Sequence, residues 1–158
     1  MQRAPGSWGL QVIDLDSGAA VLSHNPDEVL KTASSAKVTL LMAVAAAVDR
    51  GDLTLSQPIN RRSTPPAHDS GLWQYLATHV LPLGDVATLV GAVSDNWATN
   101  ALIAALGGVG MIPPHPAVTL HDIVRDERGP SDPPALSTGS AAGYANLLGE
   151  LWQTTNTR

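Results

Sequence analysis

The chain of 158 residues contains no cysteine. That excludes disulfides and thiolate metal sites, and it leaves the compartment open, because exported proteins need not carry disulfides. Positive charge is scarce. Nine Lys and Arg stand against 14 Asp and Glu, for a net charge of −5. With no basic run longer than Arg61-Arg62, a nucleic-acid surface is not expected. Long apolar runs are also missing. The best, Val38 to Val48, is 11 residues and includes Thr39, well short of the roughly 20 that a membrane-spanning helix needs. Met1-Gln2-Arg3-Ala4-Pro5-Gly6 has no apolar signal core behind it, so either the protein is not exported or its leader is absent. The five histidines show no metal-ligand spacing such as His-Glu-x-x-His, so neither a metal nor any other cofactor is expected. Gly107-Gly108-Val109-Gly110 has no strand before it and no Lys-Ser/Thr after it, which excludes a phosphate loop. There is no internal repeat.

What is present reads as one globular domain. Hydrophobic residues make up 44% of the chain and charged residues 15%, enough to build a core and unlike a disordered segment. Trp8 to Leu15 and Ala19 to His24 read as two strands joined by the turn Asp16-Ser17-Gly18. Ser34 to Arg50 reads as a helix, apolar nearly all round and hence expected to be buried, with Gly51 as its stop. Leu53 to Arg62 reads as a polar connection. Further helices are expected over Leu72 to Leu81, Asp85 to Val93, Trp97 to Leu106 and Thr138 to Trp152, with a helical turn over Thr119 to Val124. Arg125 to Ala135, charged and rich in Pro and Gly, is expected to be a surface loop. Trp73, Trp97 and Trp152 are expected in the core.

The chemistry sits in two short motifs. Ser34-Ser35-Ala36-Lys37 places a serine and a lysine three residues apart, about 60° apart on one helix face. A serine hydroxyl is a weak nucleophile until a base takes its proton. A buried lysine of lowered pKa can be that base. A serine at a helix start is also an ordinary cap. Ser94-Asp95-Asn96 lies between two apolar segments. It can cap a helix, or it can supply a proton-relaying hydroxyl and an amide that binds substrate.

Taken together, the motifs resemble those of the class A β-lactamases and the related penicillin-binding serine transpeptidases. "SSAKVTLLMAVAAAVDRGDLTLSQPI" is similar to the family's nucleophile helix, and "VSDNWATNALIAALGG" to its second motif and the helix after it, including Asn96-x-Ala98-x-Asn100. The resemblance runs from about Trp8 to Trp152. It implies an α/β (α+β type) fold, with a helical lobe and an incomplete antiparallel sheet, in a single domain over residues 1–158. It implies Ser34 as the acylated nucleophile with its own N–H as an oxyanion donor. Lys37 would be the general base, Ser94 the proton shuttle and Asn96 the binder of the substrate amide, while Asp95 would hold its loop. The implied partner is a small β-lactam or a peptidoglycan-like peptide, and the implied location is exported.

Two departures qualify that expectation. The family's third motif, Lys-Thr-Gly on a late strand, is missing. The two lysines are Lys31 and Lys37, and Lys31-Thr32-Ala33 precedes the nucleophile. The family's last strands and final helix are missing as well, as expected of a truncated chain. The loop glutamate that activates water in class A enzymes aligns with Arg125 or its neighbours, which leaves Glu127 as a deacylation base out of register. The expected activity is a serine β-lactamase-like hydrolysis through acyl-Ser34. The alternative is a non-catalytic penicillin-binding-fold module that binds without turnover.

Overall fold

The structure, a computed structural model, describes residues 6–156, and readings that fall on residues 1–5 and 157–158 lie outside it. Strands β1 (Leu10–Ile13) and β2 (Ala20–His24) form the expected hairpin, in register from Leu10↔His24 to Val12↔Leu22. Asp14 shapes its turn, accepting from Ser17 N–H at 2.8 Å and Ser17 Oγ at 2.7 Å. This is the local bonding that makes Asp a turn residue.

Next come β3 (Leu30–Lys31), a 3-10 turn (Ala33–Ala36) and helix α1 (Lys37–Asp49). Only one stripe of α1 is buried, Lys37, Leu40, Val44 and Ala47. Ala45 and Ala46 are exposed, so the expectation of an all-round buried helix is corrected. Alanine stabilises an exposed helix through propensity as readily as it fills a core. The connection after α1 holds an unexpected strand, β4 (Pro58–Asn60), which pairs with β5 (Val80–Pro82).

Helices α2 (Leu83–Val93) and α3 (Asn96–Ala105) follow the sequence reading closely. They pack with α1 around Leu40, Val44, Leu83, Val86, Val90, Leu102 and Ile103. Each such side chain contributes about 1.5–3 kcal/mol on burial, so this cluster is the main anchor of the helical lobe. Trp73 is fully buried in it, Trp97 is half-buried and Trp152 is 57% exposed, against the expectation that all three are core.

The helix expected over Leu72 to Leu81 does not form. Only Trp73–Tyr75 makes a 3-10 turn. Asp95 captures the N–H groups of Leu72 and Trp73 at 2.8 and 2.7 Å, and Arg61 Nη2 takes the Leu76 carbonyl at 3.0 Å. A helix leaves its first N–H groups unpaired in any case; what stops it here is the Leu76 carbonyl, taken by Arg61, and Val80 to Pro82, drawn into the pairing of β5 with β4.

Thr119 to Val124 is likewise not helical, because β6 (Val118–Leu120) pairs with β7 (Ser137–Gly139). Strand β7 is the centre of a three-stranded sheet of order β3-β7-β6. Helix α4 (Ala141–Asn156) starts later and runs further than expected. Its Leu147 packs with Ala36, Ala117 and Val118 in a second cluster beneath the turn that holds Ser34. Among the described residues no helix is long and apolar enough to cross a membrane.

Gly71 has φ +118, and a Cβ there would overlap the Asp95 carboxylate. Gly108 has φ +104 with open space around it. Gly108→Ala is expected to cost about 1 kcal/mol, from backbone strain alone. Gly71→Ala should cost at least about 2 kcal/mol, because overlap adds to strain. Urea unfolding of the two variants side by side measures the difference, and equal losses would remove Asp95 as the reason for Gly71.

Candidate active site

Ser34 sits on the turn that directly follows β3, exposed on a cleft of about 640 Å³. Asn96, Lys31, Asp69, Arg125 and Asp126 are among the other lining residues. The residue before it, Ala33, is held in the left-handed region at φ +46. Such outliers cost energy and are found where the surroundings over-determine the backbone.

Lys37 begins α1 with its side chain 5% exposed. Its Nζ donates to Ser94 O at 2.6 Å, Ser94 Oγ at 2.9 Å and Asn96 Oδ1 at 2.8 Å. The two motifs, far apart in sequence, therefore meet at one ammonium group. Burial lowers the Lys37 pKa to about 8, opposed in part by the Asp95 carboxylate. None of the three Nζ bonds goes to Ser34. When the ammonium loses a proton, two N–H groups and one lone pair remain. The lone pair can then accept from Ser94 Oγ–H, or from a hydroxyl on the cleft side.

Ser94 ends α2 in a left-handed conformation, φ +55. That turn directs both its carbonyl and its hydroxyl at Lys37. Asp95 caps α3, accepting from Ala98 N–H at 2.8 Å. Together with its bonds to Leu72 and Trp73, this makes it the holder of the loop. Asn96 is engaged at both ends of its amide, since Nδ2 donates to His68 O at 2.8 Å. One N–H of that group remains for the cleft.

Neighbouring loops form the cleft wall. Asn100, fully buried, accepts from Val124 N–H at 2.8 Å and donates to Val124 O at 2.9 Å. Asp122 is buried and accepts from Arg125 Nε at 2.7 Å and Arg128 Nη1 at 2.6 Å. Burial raises the Asp122 pKa, but the hydrogen bonds from Arg125, Ile123 N–H and Arg128 outweigh it and the net shift is downward. His68 closes the wall, donating from its backbone N–H to Asp126 Oδ1 at 2.7 Å and pairing Nδ1 with Oδ2 at 2.6 Å. Those bonds hold the Asp126 carboxyl below its ordinary range.

The Arg125 to Ala135 segment is the expected surface loop, and it also lines part of the cleft through Arg125, Asp126 and Arg128. The signal available was its density of paired charges, two arginines within six residues of Asp122. Glu127 is exposed and is not among the residues that line the cleft. Trp97 is not among the lining residues either. Its Nε1 donates to Arg61 O at 2.8 Å and its ring lies 4.8 Å from the Arg61 guanidinium. Among the described residues no group of three or more His, Asp or Glu is placed to hold a metal ion.

A model of the beta-lactamase enzyme family matches residues 1–156. The fold is that of solved β-lactamases and penicillin-binding proteins. A beta-lactamase from Sphaerobacter thermophilus superposes with TM-score 0.77 at 26% identity, over 92% of this chain and 56% of that one. PBP-A superposes with TM-score 0.69 at 29% identity, over 92% and 55%. A mutant of PBP-A described as an acyl-enzyme complex with penicillin G gives 0.70 at 27% identity, again over 92% and 55%. The chain thus spans a little over half the length of these solved relatives.

A folded-state pKa below the ordinary lysine value of 10.5 means that the unfolded chain binds more protons between about pH 8 and 10.5. Stability is expected to rise with pH across that window, with the full cost of the buried ammonium present below it. The chain has two lysines, so a lysine-labelled sample gives two side-chain resonances. One, assigned by Lys37→Met, should titrate near pH 8. The same substitution should flatten the rise in stability.

Proposed function

We propose a function that starts from one fact: the chain belongs to the beta-lactamase enzyme family. It forms an acyl-enzyme on Ser34 with a cyclic or peptide amide, a β-lactam or a peptidoglycan-like peptide. The observation that carries this reading is the single ammonium of Lys37, bonded at once to Ser94 and Asn96 behind the cleft that exposes Ser34.

In this reading neutral Lys37 accepts the Ser34 proton as Oγ bonds to the substrate carbonyl carbon. The C–O π pair moves to oxygen, where the Ser34 N–H stabilises it. The first N–H groups of a helical turn have no partner inside it, which leaves this one available as an oxyanion donor. The intermediate collapses, the C–N bond breaks, and the leaving nitrogen takes the Ser94 proton. Lys37 replaces that proton across the 2.9 Å bond. The net change is one O–H and one C–N bond exchanged for one ester C–O and one N–H bond. Asn96 offers its remaining N–H to the substrate amide carbonyl.

Deacylation is the weak step. Glu127 lies off the cleft, and both oxygens of Asp126 are held by His68, which lowers its basicity. The reading is therefore an enzyme that acylates and then stalls, and turnover through Glu127 is the alternative. A non-catalytic role would leave the three-way contact of Lys37 with only a structural task, holding α1 to the junction of α2 and α3.

Intact-protein mass after exposure to a penicillin tests this. The parent should gain one penicillin mass that persists, and Ser34→Ala should gain none. Lys37→Met should slow acylation about 10²-fold or more. The parent rate should climb with pH through about 8, as Lys37 loses its proton. An adduct on Ser34→Ala, or a parent that never acquires one, would sink the assignment. Rapid loss of the adduct that stops in Glu127→Gln would instead establish turnover.

A further inference from the structure

The inference here rests on the reading of Ser34 as the nucleophile and concerns what aims its backbone. Ala33 occupies the left-handed region at φ +46, a conformation disfavoured for any residue with a Cβ. Strand β7 lies against it. Thr32 N–H donates to Ser137 O at 3.2 Å, and Ser35 N–H to Thr32 O at 3.0 Å. The hydroxyl of Ser137, a residue with no exposed surface, donates to the Ala33 carbonyl at 3.3 Å. It also lies 2.7 Å from Thr32 Oγ1. A hydroxyl has one proton. If the Ser137 proton goes to Ala33, the Thr32 hydroxyl must be the donor in the short bond. The result is a directed chain, Thr32 O–H to Ser137 O–H to Ala33 C=O.

That carbonyl belongs to the same planar unit as the Ser34 N–H. In a trans peptide the C=O and N–H point in opposite directions. Drawing the Ala33 oxygen inward, toward β7, turns the Ser34 N–H outward, toward the cleft. We propose that Thr32 and Ser137 are positioning residues that orient the Ala33–Ser34 peptide and so aim the Ser34 N–H at the developing oxyanion. Neither touches substrate. Packing backs the pair, since the Tyr144 hydroxyl is buried beside the Thr32 and Ser35 side chains. An ideal Cβ on Gly139 would overlap the Ala117 carbonyl and press on Thr32 Cγ2 and Tyr144 Cε2, each 3.2 Å away.

An oxyanion donor acts in the transition state and little in the ground state. Loss of the clamp should therefore lower the limiting acylation rate and leave the half-saturating concentration unchanged. Stopped-flow acylation by benzylpenicillin reads both. Thr32→Val, which keeps the shape and removes the hydroxyl, should slow the limiting rate roughly tenfold to a hundredfold, part of what losing such a donor costs. Ser137→Ala should do the same, while Thr32→Ser should stay near the parent. Thr32→Val at the parent rate, or an equal change in rate and half-saturation, would overturn the proposal.

A second readout needs no activity. Glycine adopts positive φ freely, so Ala33→Gly should raise the urea midpoint of the parent. It should also shrink the midpoint loss caused by Ser137→Ala. Additive effects would overturn the clamp itself. A parent that forms no adduct would refute the nucleophile reading, and the stability cycle would still judge the clamp.

Discussion

The arrangement around Lys37 depends on placing an ammonium group where water does not reach. Burying such a charge costs several kcal/mol unless it is met by well-placed acceptors. Here the acceptors come from one turn, the Ser94 carbonyl and hydroxyl and the Asn96 amide oxygen. That requirement fixes α1 against the junction of α2 and α3. It also accounts for the left-handed backbone of Ser94. A right-handed residue there would continue α2 and send the carbonyl along the helix axis. Asp95 then has two tasks, capping α3 and gathering the N–H groups of Leu72 and Trp73. Its charge also tempers the desolvation of Lys37.

The helices were legible because their apolar residues recur at the helical period and their ends carry clear stops. The small strands were not. Strands β3, β4, β5, β6 and β7 are two or three residues each, too short for any alternation to register. Their partners are remote as well, as Thr32 and Ser137 meet across a separation of 105 residues. The stretch from Leu72 to Leu81 shows how apolar spacing can mislead. Leu72, Trp73, Tyr75 and Leu76 suit a helix, yet the far end of the stretch, from Val80, pairs as a strand with Pro58 to Asn60.

The site was legible to the same extent and for a similar reason. Ser34, Lys37, Ser94 and Asn96 stand in short motifs, and the structure brings Lys37, Ser94 and Asn96 together. The groups that shape the cleft wall belong to no motif. Asp122 with Arg125 and Arg128, and His68 with Asp126, become meaningful only when two loops are set side by side. The hydroxyl pair behind Ser34 is further still from anything a linear pattern carries.

Asn100 grips the cleft wall by the main chain alone, taking the N–H of Val124 and giving to its carbonyl. Such a clasp is indifferent to which side chain position 124 carries. The floor of the cleft can therefore exchange one residue for another while the loop keeps its place. Chemistry at that point is free to drift independently of architecture, and a protein so built can gain or lose a reaction step without having to refold around the change.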